Sequence, residues 1–257
     1  MINVGGNIEN AEQGQYSIDV KLVLQEAWSL TLKARLSILM GVLVCIILTL
    51  LIVFTASQYL GGVEQALVDM KAQYIINILV TLVVSPFIAG IEMMGVYHAV
   101  GLKTQPKFIL SFLNKGAVVA ICALLSSTLT SLGFNLFILP GIFLLVTLSL
   151  AIPLVIEKNI MPLKAIMLSI KVLRFQFFKL LAIYGILTMA LFLSMFPLLV
   201  LFQSGFEIVG AVFLMFALSY LVPLFYHTKG ILYREIFGVR LNASEEPTQT
   251  DSDSFSA

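Results

Sequence analysis

Charge is scarce in this chain. Asp, Glu, Lys and Arg together make up 11% of its 257 residues, against roughly 25% in a soluble globular chain. So little charge excludes a water-soluble domain of this size, and 60% hydrophobic residues with a mean hydropathy of +1.02 point the same way. Cysteine and histidine occur only twice each. Cys45 and Cys122 both sit in apolar runs, which excludes a disulfide framework and a Cys/His metal site, so no cofactor is expected. The first twenty residues hold no lysine or arginine and no apolar core, so they do not read as a cleavable signal. No Ser/His/Asp set, glycine-rich phosphate loop or nucleic-acid patch is visible, and the expectation is a non-enzyme without a nucleic-acid partner.

What the chain does have is long apolar runs. A spanning helix needs about 20 apolar residues, and six runs qualify or come close: about 36–54, 74–100, 117–134, 142–156, 178–202 and 208–226. The fourth is short, which predicts that the turn before it, through Pro140 and Gly141, lies at membrane depth. Two amphipathic segments precede spans. In 17–35, Val20, Val23, Ala27, Leu30 and Ala34 recur at steps of three and four, with Lys21, Gln25, Ser29 and Lys33 on the opposite ridge. In 158–177, Ile166, Ile170, Leu173 and Phe177 form the apolar stripe. Both suit the membrane interface, with Trp28 as an anchor. The fold class expected is therefore all-α and polytopic, with six transmembrane helices and two interfacial amphipathic helices. Residues 1–16 read as a mobile segment, 17–240 as the membrane domain and 241–257 as a disordered acidic tail.

Six spans place every lysine and arginine except Lys71 on one side of the membrane. Basic residues bias loops to the cytoplasm, so both termini are expected inside, in a bacterial inner membrane. A weak internal repeat accompanies this layout, since each amphipathic segment precedes a hairpin of two spans. Two registers fit. One aligns Tyr97-His98-x-x-Gly101 with Tyr226-His227-x-x-Gly230, and the other aligns Pro86–Gly101 with Pro223–Gly238.

Residues 138–182 carry a pattern: Leu139-Pro140-Gly141-Ile142, then Leu150-Ala151-x-Pro153, Glu157-Lys158, and Ala165-x-x-x-Ser169 before a basic-aromatic run. This resembles the YciC-like family of uncharacterised bacterial inner-membrane proteins and, more distantly, the membrane domain fused to some glycerophosphodiester phosphodiesterases. The resemblance implies a stand-alone membrane module and brings no catalytic residues with it.

Two groups of side chains are candidates for function. Glu92 is the one carboxylate well inside an apolar span, where a charge is costly. With Ser126, Ser127 and Thr130 it forms a candidate intramembrane polar site. Lys164, Lys171, Arg174 and Lys179 are candidate contacts for anionic lipid headgroups. His98 and His227, each beside a tyrosine, read as interfacial belt residues, and Gly95 with Ala99 as a small-residue helix contact. The expected function is that of an envelope protein, lipid-associated or accessory to a membrane complex, with membrane lipids and other membrane proteins as partners. The alternative is a small-solute or proton-coupled transporter or channel built on Glu92.

Overall fold

A computed structural model describes residues 2–202 and 205–241. Of the expected acidic tail, 241–257, Leu241 ends a short strand, and residues 242–257 lie outside the described residues. The fold is all-α and polytopic, with six helical segments long and apolar enough to cross a membrane. The first is α2 (Val20–Tyr59), after a short α1 (Ile8–Glu12). A short α3 (Val63–Val68) leads into α4 (Met70–Ala99). The third span is α5 (Gly116–Leu136), entered through two 3-10 turns. The fourth is split into α6 (Ile138–Thr147) and α7 (Ala151–Glu157). The amphipathic α8 (Pro162–Leu173) runs through a 3-10 turn into α9 (Phe177–Leu201), and α10 (Glu207–Phe237) completes the set.

Two short strands join the first and last described residues. β1 (Ile2–Val4) pairs antiparallel with β2 (Val239–Leu241). The segment expected to be mobile thus carries β1 and α1, and it is held by further long-range bonds. The Tyr16 hydroxyl donates to the Val172 carbonyl at 2.8 Å, and Lys171 Nζ donates to Glu12 at 2.5 Å. Burial pushes the Tyr16 phenol up to about 12.

The first amphipathic segment and the first span form one helix with a break at Ala34, whose backbone leaves the helical region (φ −132°, ψ 19°). That break falls where the sequence pattern changes from amphipathic to apolar. Val23 and Ala27 are buried, whereas Lys21, Gln25, Ser29 and Lys33 are exposed. The second amphipathic segment differs from expectation in what it packs on. Its buried residues, Ala165, Ile166, Ser169, Val172 and Leu173, lie in the protein core against α5, α6 and α7.

The split in the fourth span has a local cause. Pro153 has no N–H to offer the Ser149 carbonyl, which weakens the helix at 148–150 and suits Pro153 to the first turn of a new helix, α7. The groups this exposes find partners on the next two helices. Ser169 Oγ donates to the Thr147 carbonyl at 2.5 Å, and Tyr184 Oη donates to Ser149 Oγ at 3.0 Å. Ala165 and Ser169 are both fully buried, so small side chains at this spacing let α8 sit close to the split.

The repeat is legible in element lengths. The α2 span covers 40 residues, and so does Pro162–Leu201 through α8 and α9. Ala34 lies as far from Val20 as Gln176, in the 3-10 turn, lies from Pro162. Pro86 lies as far from Met70 as Pro223 lies from Glu207. Gly101 and Gly238, with φ of +84° and +65°, follow the ends of α4 and α10. These matches select the Pro86/Pro223 register over the Tyr-His register. The packing carries the repeat only in part: α2 packs on α4 as α9 packs on α10, but α10 also lies along α2 whereas α4 has no such extended contact with α9.

Burial is concentrated at one end of the bundle. The last turns of α4 (Ala89–Ala99) and of α10 (His227–Phe237) are almost wholly buried, as is α7. The opposite halves of α2, α4, α5, α9 and α10 are largely exposed and apolar, as a lipid-facing surface requires.

Candidate functional site

The last three turns of α10 present polar side chains in succession, and each reaches a different element. His227 meets α2 and α4. Lys229 meets α4, Tyr233 meets α7, and Arg234 meets α2.

The deepest contact is an ion pair. Lys229 Nζ lies 2.5 Å from Glu92 Oε1, and the side chains are 10% and 5% exposed. Glu92 and Lys229 hold matching positions in the repeat, since each lies as far beyond its helix proline as the other. Equivalent residues meet in this way when two related helices cross near their common axis. The crossing is close because glycines stand at it. A Cβ at Gly95 would run into the Tyr226 carbonyl, and one at Gly230 into the Gly95 carbonyl. This confirms close helix approach at Gly95, against α10. Burying two charges costs several kcal/mol per ion in desolvation, so each charge makes the other tolerable. Oε2 of Glu92 is buried and has no hydrogen-bond partner among the described residues.

Beside the ion pair lies a chain of four hydrogen-bonding side chains. Thr31 Oγ1 is 2.9 Å from His227 Nδ1, His227 Nε2 is 2.9 Å from His98 Nδ1, and His98 Nε2 is 2.8 Å from Thr104 Oγ1. Thr31 and His227 are fully buried, and His98 nearly so. The direction of the chain follows from its inner end. Thr31 donates its single hydroxyl proton to the Ala27 carbonyl at 2.8 Å, so towards His227 it can only accept. His227 therefore donates from Nδ1 and, where both imidazoles are neutral, accepts at Nε2. His98 then donates from Nδ1 and accepts at Nε2, and Thr104 supplies the last proton. In that neutral arrangement Thr104 keeps its oxygen lone pairs for the outside. The histidines are thus buried partners of one another, a correction to the belt reading. Their Tyr-His surroundings resemble each other although they are not equivalent in the repeat.

Nearer the surface, Tyr233 Oη donates to Glu157 Oε2 at 2.8 Å, and Lys158 pairs with the same carboxylate at 2.9 Å. Glu157 Oε1 also accepts from the Arg240 backbone N–H, and Lys158 Nζ donates to the Gly238 carbonyl, both at 2.9 Å. Glu157 and Lys158, which mark the exit from the fourth span, therefore hold β2 in place. Arg234 forks onto both oxygens of Glu26, at 2.6 and 2.8 Å, and donates to the Ala99 carbonyl.

The candidate polar site is only partly assembled. Glu92 is at its centre, and Cys122 lies near enough to feel the charges of both Glu92 and Lys229, with Ser126 beside it. Ser127 is exposed and donates to the Leu124 carbonyl of its own helix at 3.0 Å. Thr130 is half-buried two turns beyond Cys122, further from the ion pair along α5. Among the proposed headgroup contacts, Lys164 and Lys179 are exposed and Lys171 is paired with Glu12. The Arg174 guanidinium lies 5.1 Å from the ring of Phe175. Trp28, 45% exposed, stacks on Tyr220 with ring centroids 5.9 Å apart.

Two residues were missed in the sequence. Lys229 reads there as a loop charge just past a span, whereas α10 continues to Phe237 and buries it. Thr104 reads as ordinary loop. The signal for Lys229 was its match to Glu92 in the Pro86/Pro223 register. Compared with protein-family models, with curated proteins and with solved structures, the chain matches none.

Proposed function

We propose that this chain is a bacterial inner-membrane protein with both ends in the cytoplasm, acting through contacts with lipids and other membrane proteins rather than by catalysis or transport. The observation that carries this reading is the Glu92–Lys229 pair. An intramembrane carboxylate is by default a candidate for ion or proton handling. Here it is matched by a lysine at the tightest point of a helix crossing, an arrangement that suits a fixed structural contact. The orientation is supported by the pairing of β1 with β2. Strands that hydrogen-bond lie on one side of a membrane, so the crossings between them are even in number, and that side also holds the basic loops. The resemblance to the YciC-like family agrees with a module that stands alone.

Reconstitution separates this reading from the transporter. Purified protein in liposomes loaded with a pH-sensitive dye is expected to leak protons no faster than empty liposomes. A flux that Glu92→Gln abolishes, with the protein still folded, would overturn the proposal.

A further inference from the structure

A groove of about 540 Å³ opens beside the break in α2. Its walls come from Leu30, Lys33 and Leu36 on one side and Leu102–Pro106 on the other, and His98 lies at its base. The groove exists because α2 changes course at Ala34, where the amphipathic part of the helix meets the apolar part. It therefore sits at the level where a membrane passes from headgroups to acyl chains.

Three features of the groove define what it would hold. Lys33 and Lys103 are both exposed at its rim, one on each wall, and neither is in an ion pair among the described residues. Thr104 lies between them; its hydroxyl is 2.8 Å from His98 Nε2, and in either direction of that bond its oxygen keeps a lone pair to accept from a hydroxyl in the groove. Below the rim, Leu36, Met40, Leu43 and Ile47 follow at steps of four, three and four along α2. They are 70%, 45%, 49% and 55% exposed, a continuous apolar track leading out of the groove.

We propose that this groove is a binding site for one anionic phospholipid. The phosphate lies between Lys33 and Lys103, a headgroup hydroxyl donates to Thr104, and one acyl chain lies along Leu36, Met40, Leu43 and Ile47. A free phosphate or a soluble metabolite would use the lysines and leave the track without a role, and the track commits the site to a lipid. The charges differ from those of the α8 region, where Lys171 is already met by Glu12. The inference rests on the reading that this end of the protein faces the cytoplasmic leaflet.

The test uses the full-length protein in nanodiscs of phosphatidylcholine. Phosphatidylglycerol is titrated in, and retained lipid is measured by native mass spectrometry. Wild type is expected to retain one phosphatidylglycerol. Lys33→Gln with Lys103→Gln should lower its apparent affinity about thirtyfold, since each basic residue near a lipid surface contributes on the order of fivefold. Lys33→Arg with Lys103→Arg should restore most of it, which separates charge from misfolding. Leu36→Ser should shorten retention with both lysines intact. Lys164→Gln with Lys179→Gln should leave it unchanged. An equal loss in that control would overturn the site in favour of diffuse surface charge. Displacement of the lipid by millimolar inorganic phosphate would overturn it in favour of a soluble anion. Accessibility of a cysteine placed at Lys103 in intact and broken cells tests the orientation separately. An outward-facing Lys103 sinks the cytoplasmic reading while the lipid result stands by itself.

Discussion

The two ends of this bundle handle polar groups in opposite ways. At the basic end, His227, Lys229, Tyr233 and Arg234 of α10 each reach another element. At the other end, Thr55, Ser57, Ser127, Ser194 and Ser219 each donate to a carbonyl of their own helix. A hydroxyl that bonds its own preceding turn is satisfied wherever its helix goes and fixes no relation between helices. A side chain bonded across to a neighbour fixes both position and rotation. The comparison teaches that the helices are registered at one end and left free to pack by shape and lipid contact at the other.

The comparison breaks most visibly at Glu92. Glu92→Leu alone leaves Lys229 buried and unmatched and is expected to lower stability by about 3–5 kcal/mol. The double variant with Lys229→Leu should recover most of that loss. Unfolding in detergent, as a double-mutant cycle, measures both. Next comes Gly230→Ala. Its methyl meets the backbone of α4, which cannot swing aside, so a loss of about 1–3 kcal/mol is expected by the same assay. Thr31→Val removes the acceptor that sets the direction of the histidine chain. It should cost about 1–3 kcal/mol, and the imidazole resonances of His227 should shift by NMR. At the opposite end, Ser127→Ala should change stability by less than about 0.5 kcal/mol. A loss there as large as at Thr31 would end the contrast between the ends.

The docking of the chain's first residues gives the gentlest perturbation. The Tyr16 phenol is raised to about 12, chiefly by burial, against the ordinary 10.0. Its neutral form is favoured in the folded state, so its contribution is complete below pH 10 and is lost as pH rises from 10 to about 12. Phenolate absorbance titrated alongside limited proteolysis of the first twenty residues should show the two changes together.

Much of the basic framework was legible because it depends on local pattern. The change from a stepped apolar face to a continuous run near residue 35 located the break at Ala34. Span ends followed hydropathy to within a few residues for α4, α5 and α9. The end of α10 did not, because Lys229 and Arg234 look like exit signals until their partners, Glu92 and Glu26, are known. Those partners lie far away in sequence, and pairing at that range leaves no local trace. The same holds for the strand pair. Residues 2–4 are too short and too mixed to read as a strand, and they form one only because 239–241 lie beside them.

That strand pair also bears on how the protein is made. The residues of β1 leave the ribosome before any of the six spans, and those of β2 follow only after all six have been synthesised. Until then β1 has no partner, and its backbone groups remain open to other chains or to proteases. Closing so long a loop carries an entropic cost that only a completed bundle can offset. The two short strands therefore act as a seal on a finished insertion: a full chain in which one span failed to insert would have β1 and β2 on opposite sides of the membrane, with the seal unmade.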